Sequence, residues 1–129
     1  TDILFPPGKD ALSKEGVTAI SEVAKVLQLV EGRQVQVAGH TDNVPIKNAK
    51  FPTNWHLGAA RAIAVTKILI DSGLDADRVS ASSYADTRPA DTNRTKEGRS
   101  RNRRIELILV PDLSLLPGSE ELKNFADGQ

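Results

Sequence analysis

Apolar positions fall into two periods along the chain. From Val17 to Val30, the residues Val17, Ile20, Val23, Ala24, Leu27 and Val30 recur every three or four positions, which predicts a helix with one apolar face. Ser13 stands where an N-cap is wanted, Glu15 suits the first turn, and Gly32 fits the left-handed residue that follows a helix. A second helix is predicted from Trp55 to Asp71, with Asn54 as N-cap, Ala62, Val65 and Leu69 on its apolar face, and Gly73 as its stop. Between them Arg33 to Gly39 alternates Val35, Val37 and Gly39 with polar residues, as a strand does. Asp2 to Phe5, Val79 to Tyr84 and Ile105 to Val110 read as further strands, the first stopped by Pro6, Pro7 and Gly8. The tetrapeptide Thr95-Lys-Glu-Gly98 repeats the pattern of Ser13-Lys-Glu-Gly16, so a short third helix is expected there. His40 to Thr53 shows no period and carries Pro45 and Pro52, as a loop would.

The resulting order, β-α-β-α-β-(short α)-β, predicts an α/β fold of the α+β sandwich kind. One mixed four-stranded sheet would carry the two main helices on one face. The 129 residues suit one domain, placed at residues 1–110. Residues 111–129 read as an extension, opened by Pro111, punctuated by Pro117 and Gly118, and ending in a short acidic helix-like segment, Glu120 to Phe125.

Composition narrows the chemistry. Aromatics are only 4% of residues, so the core must rest on Val, Ile, Leu and Ala. The formal net charge is zero, which argues against a general nucleic-acid binder. With no cysteine, disulfides and thiolate metal sites are impossible. No signal peptide and no apolar run long enough to cross a bilayer is visible. The chain opens on Thr1 rather than Met, so we expect a piece of a longer protein, with any membrane anchor upstream of Thr1.

Three features could carry chemistry. The first is Gly39-His40-Thr41-Asp42, at a strand's carboxyl end, where ligands bind in α/β sheets. Gly39 would let a ligand or another backbone approach closely. The same four residues could equally form a turn in which Thr41 and Asp42 cap local backbone groups. The second is Arg61, near the start of the second helix among the small residues Ala59, Ala60 and Ala62. This topology sets it beside Asp42, where the two could form a salt bridge or hold something with one positive and one negative end. The third is the run from Arg94 to Arg104, with Lys96, Arg99, Arg101 and Arg103 between and only Glu97 opposing. It could meet phosphates or carboxylates, or be a solvated loop entering the last strand. No aromatic residues stand nearby to stack on bases. His40, Asp42 and His56 match no metal-ligand spacing, and neither a Gly-x-Ser-x-Gly elbow nor a phosphate-binding glycine loop occurs. No cofactor is expected.

Read together, five segments resemble one family. They are Val35-Gln-Val-Ala-Gly-His-Thr-Asp42, Asn54-Trp-His-Leu57, Arg61-Ala62, Asn93-Arg-Thr-Lys-Glu-Gly-Arg99 and Asn102-Arg-Arg-Ile-Glu106. Their order and spacing are similar to those of the OmpA C-terminal domain family, across roughly Ile3 to Val110. Asn43-Val-Pro-Ile46, Phe51-Pro-Thr-Asn-Trp55 and the tail Pro111 to Gly118 look most like its MotB-type members, the wall-anchored stator subunits of the flagellar motor. The resemblance implies noncovalent binding of peptidoglycan through the diaminopimelate of the stem peptide. Asp42 would accept from the ligand's ammonium and Arg61 would fork onto its carboxylate. Thr41, Asn54 and Leu57 would support them, and one of Arg103 and Arg104 would line the same crevice, the strand register leaving open which. It further implies a homodimer, the periplasmic domain of a membrane-anchored bacterial protein, no enzyme activity and no nucleic-acid partner. A wall-binding role outside the motor, or an anion- or nucleic-acid-binding role for the Arg94–Arg104 run, are the alternatives. The chain departs from the family at His56 and Gly58, where Glu and Ser are common, and at Ser83, where Gly is usual. Gly58 is expected to weaken its helix by about 0.5–1 kcal/mol relative to Ala.

Overall fold

The computed structural model describes residues 4–6, 8–30, 32–110, 118 and 124. Helix α1 spans Lys14–Gln28, strand β1 Gln34–His40, helix α2 Asn54–Asp71, strand β2 Val79–Ala85, helix α3 Lys96–Asn102 and strand β3 Arg104–Val110. A single 3-10 turn, Ala76–Arg78, leads into β2.

The repeated cap pattern does the same work twice. Ser13 Oγ accepts from Gly16 N at 2.9 Å and Thr95 Oγ1 accepts from Gly98 N at 2.9 Å, so each hydroxyl satisfies one orphan donor at a helix start. Helix α2 begins differently. Its N-cap is Thr53, and Asn54 is the first helical residue. Thr53 Oγ1 turns to His56 Nδ1, 2.8 Å away, which leaves the Asn54 amide available for the neighbouring loop. Carbonyls at and just beyond the end of α1 gain a partner from a distance. Arg78 donates to Leu27 O, Val30 O and Arg33 O, tying the 3-10 turn to the end of α1.

The sheet order is β2-β1-β3, with β1 parallel to β2 and antiparallel to β3. Val35 and Val37 of β1 are fully buried, and they join Ile20, Ala24 and Leu27 of α1 with Ala62, Val65 and Leu69 of α2 in one core. Ile105 and Leu107 of β3 pack against the same cluster. Three strands, rather than the expected four, make up the sheet among the described residues. Leu4 lies in a turn and Phe5 in a bend, while Asp2 and Ile3 fall outside the described residues. Phe5 is apolar because it is buried in the core, not because it pairs in a ladder. Leu4 O accepts instead from Ser13 N at 2.8 Å, hooking the N-terminal segment over the start of α1. Gly118 and Asn124 apart, the expectations for the tail from Pro111, including its acidic segment Glu120 to Phe125, also lie outside the described residues. Among the described residues no helix is long and apolar enough to cross a membrane.

Candidate functional site

The site begins where α2 touches β1. A Cβ built on Gly39 would stand 2.1 Å from Gly58 O, so the backbones of strand and helix meet here without side chains between them. The close approach anticipated at Gly39 is therefore to α2. A Cβ on Gly58 would stand 2.4 Å from Ser83 Oγ. Gly58 and Ser83 thus divide one small volume, so a side chain at 58 obliges the Ser83 hydroxyl to move.

This contact sets Asp42, three residues beyond Gly39, beside Arg61, three residues beyond Gly58. The pairing of β1 with β2 shifts register between Gly39 and His40, and Ala85 takes a positive φ of 52°. Thr41 N then donates to Ala85 O at 2.8 Å, so the chain leaves the sheet held on one side. Thr41 Oγ1 donates to Asp42 O, and Asp42 Oδ1 accepts from Val44 N at 3.0 Å. The local turn is therefore real, but it uses one carboxylate oxygen only. Asn54 Nδ2 donates to Asp42 O at 3.3 Å and Val44 O at 3.2 Å, fastening the loop to the start of α2.

Asp42 Oδ2 accepts from Arg103 Nη1 at 2.6 Å. The salt bridge open to Asp42 in the sequence is thus made by Arg103 rather than Arg61. Arg61, only 7% exposed, lies across the Phe5 ring at 4.9 Å and donates to Lys9 O at 2.8 Å and Pro6 O at 3.4 Å. The arginine pair separates at the junction of α3 and β3, Arg103 being the cap residue of the helix and Arg104 the first residue of the strand. Arg103, at the end of α3, meets Asp42, whereas Arg104 turns to Glu106 Oε2 at 2.8 Å and Arg88 O at 2.9 Å. Arg104 is not brought into the crevice.

The crevice has a volume of about 340 Å³. Thr41, Asp42, Asn54, Arg61, Arg99 and Arg103 supply its polar lining, and Leu57 with Val44, Pro45 and Ile46 its apolar wall. Six of the seven expected site residues therefore converge. Two residues escaped notice as contributors. Arg99 lines the crevice while donating to Asn93 O at 3.0 Å. Asn102 has no exposed surface; its Oδ1 accepts from Ala90 N and Asp91 N, and its Nδ2 donates to Asp91 O and Asn93 Oδ1. It anchors the segment that delivers Arg103, and the Asn-Arg-Arg motif was the signal that could have revealed it.

Behind the sheet His40 is 3% exposed, stacks on Tyr84 at 5.2 Å and shares a hydrogen bond with Glu106 Oε1 at 3.1 Å. Burial and then the Arg104 charge hold the His40 pKa below its ordinary value, against the pull of Glu106. The hydrogen bond from Arg104 lowers that of Glu106. Among the described residues no cluster of three or more His, Asp or Glu side chains could hold a metal. The basic run is largely spent within the fold: Arg101 pairs with Asp91, Arg103 with Asp42 and Arg104 with Glu106. The crevice thus gathers one carboxylate, three guanidinium groups and an apolar wall, a combination suited to a small ligand bearing both charges.

Fold, motif order and crevice define a class, and the match is explicit: the chain belongs to the OmpA family, whose pattern it matches over residues 4–103. Within that family its relatives include Motility protein B of Bacillus subtilis, 42% identical over 110 residues, a match covering 84% of this chain and 42% of that protein. The periplasmic domain of Helicobacter pylori MotB has the same fold, with a TM-score of 0.84 at 28% identity over 99% of this chain and 83% of that one. The cell wall anchor of the T6SS from Pseudomonas aeruginosa superposes with a TM-score of 0.79 at 38% identity, over 86% of this chain and 77% of that one. The chain spans about two fifths of the length of the motility proteins it resembles.

Proposed function

We propose that this domain grips peptidoglycan noncovalently through the diaminopimelate of a stem peptide, and so anchors a membrane protein of MotB type to the cell wall from the periplasm. The observation that carries the reading is the crevice itself. A ligand carbon bearing an ammonium and a carboxylate would place the first at Asp42 and the second among Arg61 and its neighbouring guanidiniums, with its methylene chain on Leu57. Asp42 is the only carboxylate among the described lining residues, the single acceptor that holding one ammonium requires. The wall-anchor relative supports the same reading, which extends to a MotB-type stator role and a homodimer. Residues 1–110 would form the wall-binding domain and 111–129 an extension.

Charge-assisted hydrogen bonds contribute about 1.5–3 kcal/mol each. Two of them on a small ligand correspond to a dissociation constant of roughly 0.05 to several mM. Firm anchoring then requires several copies on one polymer, whose effective concentration multiplies weak sites. Calorimetric titration with a meso-diaminopimelate stem peptide, against a lysine-containing stem peptide, tests the assignment. Binding of the first, weakened about tenfold or more in Asp42→Ala and in Arg61→Ala, is expected. Equal binding of both peptides, or full binding by Asp42→Ala, would remove the assignment.

A further inference from the structure

In the basic run Arg101, Arg103 and Arg104 are each matched by a carboxylate, Asp91, Asp42 and Glu106 in turn. Arg99, which lines the crevice, is matched differently. Its Nη1 donates to a carbonyl, Asn93 O, at 3.0 Å, and among the described residues no carboxylate pairs with it. We propose that Arg99 receives a second carboxylate of the ligand, beyond the one that shares a carbon with the ammonium. The domain then distinguishes a stem peptide in which that group is free from one in which it is amidated. This rests on the function proposed above and deepens it by one subsite.

The fold holds Arg99 in place without filling its bonding capacity. Its backbone is fixed within α3, the N–H donating to Thr95 O at 3.0 Å and the carbonyl accepting from Arg103 N at 3.1 Å. Its side chain is steadied through Asn93, whose Oδ1 accepts from the fully buried Asn102 at 2.7 Å. A guanidinium carries five N–H donors in a planar fork. In Arg99, which is half-buried, one of them is given to a neutral carbonyl. Two parallel donors suffice for a carboxylate, and a bond to a charged acceptor is about twice as strong as one to a neutral acceptor.

Arg99 also reaches the crevice from an element of its own. Asp42 follows β1 and Arg61 lies on α2, whereas Arg99 comes from α3. At about 340 Å³ the crevice is at the lower end of small-molecule sites, so one ligand meets all three side chains. With its ammonium at Asp42 and the neighbouring carboxylate at Arg61, the rest of the ligand is left to Arg99. A diaminopimelate stem peptide carries a further carboxylate in two places. One is the α-carboxylate of the glutamate that is linked through its side chain. The other is the main-chain carboxylate of diaminopimelate where the peptide ends there. Amidation replaces the anion with a neutral group whose NH₂ meets the Arg99 fork donor against donor, a mismatch that falls on the amidated ligand alone.

The test is a calorimetric titration with N-acetyl-L-alanyl-γ-D-glutamyl-meso-diaminopimelate and two variants of it, one amidated at the glutamate α-carboxyl and one at the main-chain carboxyl of diaminopimelate. Wild type is expected to bind one of the amides about tenfold more weakly than the acid, the worth of one charge-assisted hydrogen bond. The amide that loses affinity identifies the carboxylate. In Arg99→Gln, checked for folding by circular dichroism, that amide and the acid should bind within about twofold of each other. An arginine that only braces α3 would weaken acid and amide alike, so a preference unchanged in the folded variant would overturn the proposal. Wild type that binds both amides as tightly as the acid would overturn it as well, without recourse to any variant. Wild type that binds none of the three peptides would remove the proposed function and this inference with it, a result distinct from binding that ignores amidation.

Discussion

Replacing Gly39 with alanine should separate the two elements that carry the site. The new Cβ would stand 2.1 Å from Gly58 O and 2.8 Å from Gly58 C, both backbone atoms that no rotamer change can move. An ordinary carbon–oxygen contact is about 3.3–3.6 Å, so α2 must retreat from β1 by roughly 1.2 Å. Val37, Ala62, Val65 and Leu69, all fully buried, lie in the core between these elements. A gap of 0.5–1 Å already forfeits roughly a quarter to a half of each dispersion contact. We expect a loss of about 3 kcal/mol, the upper end of overpacking costs, and a fall in Tm of roughly 10–15 °C for a domain of this size. Urea and thermal unfolding followed by far-UV circular dichroism measure both. Gly58→Ala is the control. Its Cβ meets the Ser83 hydroxyl, which can rotate away at the expense of a 3.3 Å bond from Ala85 N. Alanine also favours the helix by about 0.5–1 kcal/mol, so the net change should stay within about 1 kcal/mol. Gly39→Ala as stable as wild type, or no worse than Gly58→Ala, would refute the reasoning.

Other consequences follow from the same packing. The shared volume at 58 and 83 predicts a double-mutant cycle: Gly58→Ser alone destabilises, and Ser83→Gly in the same chain recovers at least about 1 kcal/mol of that loss, the scale of coupling between contacting residues; simple additivity in urea melts would contradict it. Asn102→Ala strips Ala90 N and Asp91 N of their acceptor and should cost about 2–4 kcal/mol, with Asn102→Asp failing to rescue because it loses both Nδ2 donors; equilibrium unfolding decides. Arg104→Ala should leave stem-peptide affinity within about twofold of wild type while Arg103→Ala does not, because Arg104 is bonded to Glu106 behind the sheet. Stability should decline on acidification in two stages. His40 resists protonation when folded, so the unfolded chain gains protons first as pH falls through the ordinary value of 6.5. Glu106, whose pKa is depressed by Arg104, adds a loss that begins near 4.5 and runs lower. Urea midpoints measured between pH 7.5 and 5 should fall in wild type and flatten in His40→Phe; parallel profiles would count against His40.

What could be read along the chain was what is settled within a few residues. Helices α1 and α2 follow from apolar spacing, the end of α2 from Gly73, and the starts of α1 and α3 from hydroxyls that cap a donor three positions on, whereas α1 closes at Gln28, short of the expected Val30 and Gly32. Strand alternation placed Val35 and Val37 in the core, but it could not separate Arg103 from Arg104, because the strand begins only at Arg104 and Arg103 caps α3. The family's motifs contain Thr41, Asp42, Asn54, Leu57, Arg61 and Arg103, which line the crevice, and Arg104, which does not. Tertiary structure alone decided the rest. Leu4 and Phe5 look like a strand because burial and pairing both select apolar residues, and only the core contact tells them apart. Gly58 looks like a weakness until Ser83 is found against it. Asp42 takes Arg103, 61 residues away, in preference to Arg61, because Lys9 and Pro6 carbonyls hold the nearer arginine. Periodicity and caps are short-range constraints written into consecutive residues, whereas the partner of a charge is set by which distant backbones the packed core brings within 3 Å.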